Sequence, residues 1–138
     1  MRSALDTNIL SALWTGPPVS DLATQLLTDA SARGGLVICS VAYAELLARP
    51  AVSKEFVDTF LDDAGIDVDL SFSREALVEA GRAYRQYRQR RRKSGGNESH
   101  RIVADFLIGA HAADRADRLI TLNPRDFRSA FPSLALAP

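Results

Sequence analysis

Twice within the first forty residues a short apolar run gives way at once to polar residues that open a helical stretch: Ser3–Leu5 before Asp6, and Leu36–Cys39 before Ser40. This suits buried parallel strands that feed covering helices, because such strands are shielded on both faces and show no alternation. Further strand candidates are Val68–Leu70 and Arg118–Leu122. Between them the pattern predicts helices over Val19–Arg33, closed by Gly34-Gly35, over Val41–Ala48, stopped at Arg49-Pro50, and over Val52–Ala64 and Ser73–Lys93. The alternation argues for an α/β class with a mostly parallel central sheet covered on both faces. With 138 residues, 46% of them hydrophobic, and neither repeat nor linker, one domain over 1–138 is expected.

Two helices are unusual. Ser73–Lys93 starts with an apolar stripe at Leu77, Ala80 and Tyr84, then turns strongly cationic, so its end is expected to project beyond the core and border a mobile loop at Ser94–Asn97. Arg101–Ala116 is apolar around almost its whole circumference from Ile102 to Ala113, which predicts a place inside the domain.

The formal net charge is zero, yet Arg82–Lys93 carries seven cations and no acid, leaving ten cations against seventeen acids elsewhere. Such a ridge suits phosphate binding, a solvated helix face or an acidic protein partner. Asp6 and Asn8 interrupt the apolar start that a secretory signal needs, and no stretch is long enough to span a membrane. The lone Cys39, in an apolar run, excludes an intrachain disulfide framework and a thiolate metal cluster. A cytoplasmic protein with a buried, inert thiol is expected.

Asp105 asks for an explanation, because it sits in Ile102–Ala110 among apolar neighbours, where an ionised carboxylate needs a cation, a metal or several hydrogen bonds. Asp6 follows the first strand, and Glu45 lies in the helix after the second. Structural roles are open to each: Asp6 as a helix cap, Glu45 paired with Arg49, and Asp105 paired with Arg101. Position adds weight, since the carboxyl edge of an open parallel sheet is where ligand clefts form. Should the helix of Asp105 cross that edge, three hard oxygen donors meet there, a set preferred by magnesium or manganese over zinc.

Taken in order, Leu5-Asp6-Thr7-Asn8, Glu45, the segment Ile102–Ala112 and Thr121-Leu122-Asn123-Pro124-Arg125-Asp126-Phe127 resemble PIN-domain nucleases, most closely the VapC-like toxins of type II toxin-antitoxin pairs. The resemblance covers essentially the whole chain. It implies a PIN-like three-layer α/β/α domain and an endoribonuclease that uses Mg²⁺, with Mn²⁺ as the alternative. It also implies catalytic, metal-binding acids at Asp6, Glu45 and Asp105, plus a fourth, assigned to Asp126 because Asn123 stands where many members have an Asp. Thr7, Asn8, Thr121 and Asn123 become site-lining groups, and Arg85, Arg88, Arg90, Arg91 and Arg92 an RNA-backbone ridge. An RNA substrate, a VapB-like antitoxin, a homodimer and products with 5′-phosphate and 3′-hydroxyl ends complete the expectation. His111, six residues beyond Asp105, lies off that residue's helical face and is not expected to act as a base.

Two other classes fit parts of the sequence. A degenerate domain of this type, holding RNA or protein without cutting, is allowed by Asn123. A receiver-like or phosphatase α/β protein also places an Asp at a strand end, but here the only lysines are Lys54 and Lys93, and Asn8 stands where a phosphatase would have Asp.

Overall fold

The computed structural model describes residues 1–93, 95 and 101–137. Its strands are β1 (Ser3–Leu5), β2 (Leu36–Cys39), β3 (Ile66–Asp69), β4 (Arg118–Ile120) and β5 (Leu136–Ala137). Its helices are α1 (Thr7–Leu13), α2 (Val19–Arg33), α3 (Ser40–Leu47), α4 (Lys54–Ala64), α5 (Arg74–Lys93), α6 (Val103–Arg115) and α7 (Pro124–Arg128). The strands form one sheet in the order β3-β2-β1-β4-β5, and every pairing is parallel.

This order explains where a site can form. From β1 the chain steps outward to β2 and β3, then crosses back over them to β4 and continues to β5. Right-handed crossovers place the helices of the first two connections on one face and those of the last two on the other, giving three layers. Winding reverses between β1 and β4, which opens a crevice past their carboxyl ends. The register sets Leu5 beside Ile120, so Asp6 and Thr121 are the first residues beyond the paired strands. Apolar β1, β2 and β4 are buried almost throughout, with Leu5, Val37, Ile38, Leu119 and Ile120 at the centre of the core.

Several expectations need correction. The third strand begins two residues before and ends one residue before the expected Val68–Leu70, and Leu70 is 73% exposed. Strand β5, two residues at the sheet edge, is too short to leave a pattern. On α5 the buried stripe is Ala76, Ala80, Ala83 and Tyr87, whereas Leu77 is exposed and Tyr84 half-buried. Small alanines face inward because α5 lies close against α6. Tyr87 is fully buried, so the cationic end of α5 stays against the core further along than expected. Helix α6 is buried from Phe106 to Ala112, Leu107 excepted, but its first turn is not, with Ile102 and Val103 about half exposed. Of the expected mobile loop, only Gly95 is among the described residues; Ser94, Gly96 and Asn97 lie outside them. Cys39 is buried, and burial pushes its thiol pKa up, consistent with an inert role. No helix among the described residues is long and apolar enough to cross a membrane.

Candidate active site

Just past the switch point, a cavity of about 280 Å³ collects acids from four separate elements: Asp6 after β1, Glu45 on α3, Asp105 on α6 and Asp126 on α7. Asp6 is the most buried, 6% exposed. Its carboxylate accepts a hydrogen bond from Thr121 Oγ1, 2.8 Å from Oδ2. Asp6 occupies the cap position of α1 without capping it through its side chain. Its backbone has the extended geometry of a cap residue, while its carboxyl points to Thr121 and the cavity.

The neighbours hold this arrangement. Thr7 Oγ1 donates to Glu45 Oε1 at 2.7 Å, tying α1 to α3. Asn8 Oδ1 accepts from the Leu122 amide at 3.3 Å, and Asn8 Nδ2 donates to Thr121 Oγ1 at 3.4 Å. Thr121 Oγ1 also accepts from the Asn123 amide at 3.0 Å. Glu45 therefore pairs with Thr7, while Arg49 lies over the Trp14 ring, 5.9 Å from its centroid. Asp105 stands at the third position of α6, where its Oδ2 accepts from the Ile102 amide at 3.0 Å.

Asp126 sits in the first turn of α7, behind Pro124, and Asn123 precedes that turn. Both line the cavity, Asn123 exposed and Asp126 half-buried. The cavity also has an apolar lining, made by Phe106, Phe127, Ala130 and Phe131. A Cβ at Gly109 would lie 2.3 Å from Phe131 Cε2 and 3.1 Å from Phe127 Cδ1, so only glycine lets this wall close on α6.

Burial raises the Asp6 pKa to about 6; Thr121 opposes the shift, and the charges of Asp105 and Glu45 add to it. An added cation would relieve that strain. The donor set is all hard oxygen, which fits Mg²⁺ or Mn²⁺ by chemistry. Among the described residues no three acids, histidines or cysteines are drawn together as a finished ligand cluster. Three of the acids accept protein donors: Asp6 that of Thr121, Glu45 that of Thr7 and Asp105 that of Ile102. The acids thus suit a hard cation in kind and location.

The basic end of α5 is tied to the start of α6. Tyr87 Oη accepts from the Arg101 amide at 2.7 Å, joining it to the start of α6. Arg85, Arg88 and Arg92 are exposed, while Arg90 and Arg91 are half-buried. Arg88 lies over Tyr84 at 5.8 Å and Arg91 over Tyr87 at 5.9 Å. His111 does not face the cavity; it is buried, with Nε2 2.9 Å from Asp69 Oδ2. Sequence reasoning weighed Arg101 only as a pairing partner of Asp105 and missed Ser11; both line the cavity. The only available signal for Arg101 was a charge placed just before an apolar helix.

A family model described as the PIN domain matches residues 4–130. No curated protein matches the sequence. Among solved structures, VapBC2 from Rickettsia felis, bound to a promoter DNA fragment, is 25% identical over 99% of this chain and 97% of that chain, with a TM-score of 0.69. VapBC-1 from nontypeable Haemophilus influenzae is 22% identical over 99% and 96%, with a TM-score of 0.66. FitAcB from Neisseria gonorrhoeae, 19% identical over 99% and 96% with a TM-score of 0.57, shares the fold.

Proposed function

This chain belongs to the PIN-domain family, and from that premise we propose that it is a Mg²⁺-dependent endoribonuclease, with Mn²⁺ as the alternative ion, acting as the toxin of a VapBC-type pair. The observation that carries the reading is the convergence of Asp6, Glu45, Asp105 and Asp126 on one cavity at the switch point of the sheet.

Divalent ions bound there would supply charge compensation and an activated water for phosphodiester hydrolysis, leaving 5′-phosphate and 3′-hydroxyl ends. Asp6 and Asp105 are assigned as metal anchors, Glu45 as metal or water positioner, and Asp126 as the fourth acid. Thr121 orients Asp6 and Thr7 orients Glu45, as buried partners of ligating carboxylates do. Asn8 and Asn123 brace the segment after β4. Arg85, Arg88, Arg90, Arg91 and Arg92 draw RNA towards this acidic centre. In this reading an antitoxin covers the site, the toxin self-associates, and both act in the cytoplasm.

Cleavage of a mixed structured and unstructured RNA pool by purified protein tests the reading, with Mg²⁺, Mn²⁺ or chelator and with folded Asp6→Asn and Asp105→Asn variants. Metal-dependent cuts lost in both variants support it. A second reading, a degenerate domain that binds without cutting, is favoured by Asn123; RNA binding with no cleavage under any metal supports that one.

A further inference from the structure

Arg101 is held by three elements at once. Its amide donates to Tyr87 Oη at 2.7 Å, and its guanidinium carbon lies 4.4 Å from the Tyr87 ring centroid and 5.6 Å from that of Phe106. Nη1 donates to the backbone carbonyl of Asp126. The planar group is thereby fixed at the wall of the cavity that holds the four acids. Nε is buried and has no acceptor among the described residues.

With Nη1 engaged, Nε and Nη2 remain. They form the lateral edge of the guanidinium, where two parallel N–H donors match two oxygens of one phosphate. A buried donor with no acceptor is costly and asks for a ligand or water to complete it. Arg88 over Tyr84 and Arg91 over Tyr87 continue the pattern along α5, making three guanidiniums backed by rings. A row of fixed cations suits a polyanion with repeating charge better than a single carboxylate.

We propose that Arg101 contacts a phosphate of the bound RNA strand through this lateral edge, between the basic ridge and the acidic cavity. The proposal rests on the nuclease reading above. Binding in chelator separates it from cleavage: a fluorescent, unstructured, mixed-sequence oligoribonucleotide is titrated at several salt concentrations. Arg101→Met is expected to weaken binding roughly tenfold at low salt, the worth of a charge-assisted hydrogen bond, and to lower the slope of log K against log salt by about 0.7. Arg125→Met, an exposed arginine of α7 outside the cavity lining, should leave the slope unchanged. A second measurement needs no variant: the Arg101 Nε–H resonance of the wild type should shift when the oligoribonucleotide is added. A folded Arg101→Met with wild-type slope, or an unmoved Nε–H signal at saturation, overturns the proposal and leaves Arg101 as a clamp on α7. Equal binding of poly-glutamate, with the same loss in Arg101→Met, overturns it in favour of an acidic-peptide site. A wild type that binds no RNA rejects the nuclease reading itself, and this proposal with it.

Discussion

Thr121 Oγ1 donates to Asp6 Oδ2 across 2.8 Å, joining the residues that follow the two strands on either side of the switch point. The same hydroxyl accepts from Asn8 Nδ2 and from the Asn123 amide. One buried threonine therefore links the first acid to the segment that carries the last one.

Replacing Thr121 by valine removes this link with little change of volume. The donor that lowers the Asp6 pKa is lost, so that pKa climbs further above about 6. The acidic limb of the pH–rate profile should move to higher pH, and stability should fall by about 1–3 kcal/mol because polar partners are left unsatisfied. The pH–rate profile and a denaturant titration of the variant check both.

The raised Asp6 pKa also sets a stability signature in chelator. The native state holds a proton on Asp6 up to about pH 6, whereas the unfolded chain releases it near the ordinary value of 3.8. Stability from this group is therefore full below that ordinary value and is lost as pH rises through about 6, an effect of about 3 kcal/mol. Asp6→Asn should lack this loss and be more stable than wild type at pH 7.5 without metal. Denaturant titrations across pH, wild type against variant, provide the comparison; adding Mg²⁺ should stabilise the wild type and not the variant.

Gly109→Ala should be destabilising by about 1–3 kcal/mol, since its Cβ would enter the Phe131 ring and the rings must shift. Those rings are continuous with α7, so activity should fall with stability. Adding Phe131→Leu should recover part of both, which a double-mutant cycle in urea and in cleavage assays measures.

His111→Ala should destabilise without touching the chemistry. The His111 hydrogen bond is the main cause holding the Asp69 carboxyl below its ordinary pKa. That contribution is present above the ordinary carboxylate range and lost as pH falls through the lowered value, so the variant should lose about 1–3 kcal/mol at neutral pH. Cleavage per folded molecule should match wild type.

Much of the fold was legible because its strands announce themselves: β1 and β2 are apolar runs ending on helix-opening residues, and both fall where the pattern set them. Strand β5 was not, because two residues at a sheet edge carry no periodicity. The stripe on α5 was misplaced because larger residues were read as core, when close packing against α6 selects alanine. Asp6, Glu45, Asp105 and Asp126 were nameable one by one from their settings and from the family motif. Their meeting was not, because it depends on the reversal of winding between β1 and β4, which spacing does not encode. Arg101 was read only as a partner for Asp105, because the residues it contacts, Tyr87 and the Asp126 carbonyl, lie 14 and 25 residues away.

The most direct test of the carboxylate centre is to locate Mn²⁺ by its anomalous scattering in crystals of the wild type and of Asp6→Asn. A manganese peak is expected inside the cavity among Asp6, Glu45 and Asp105, absent from the variant. Manganese bound elsewhere, or a cavity that stays empty at saturating Mn²⁺, would contradict it.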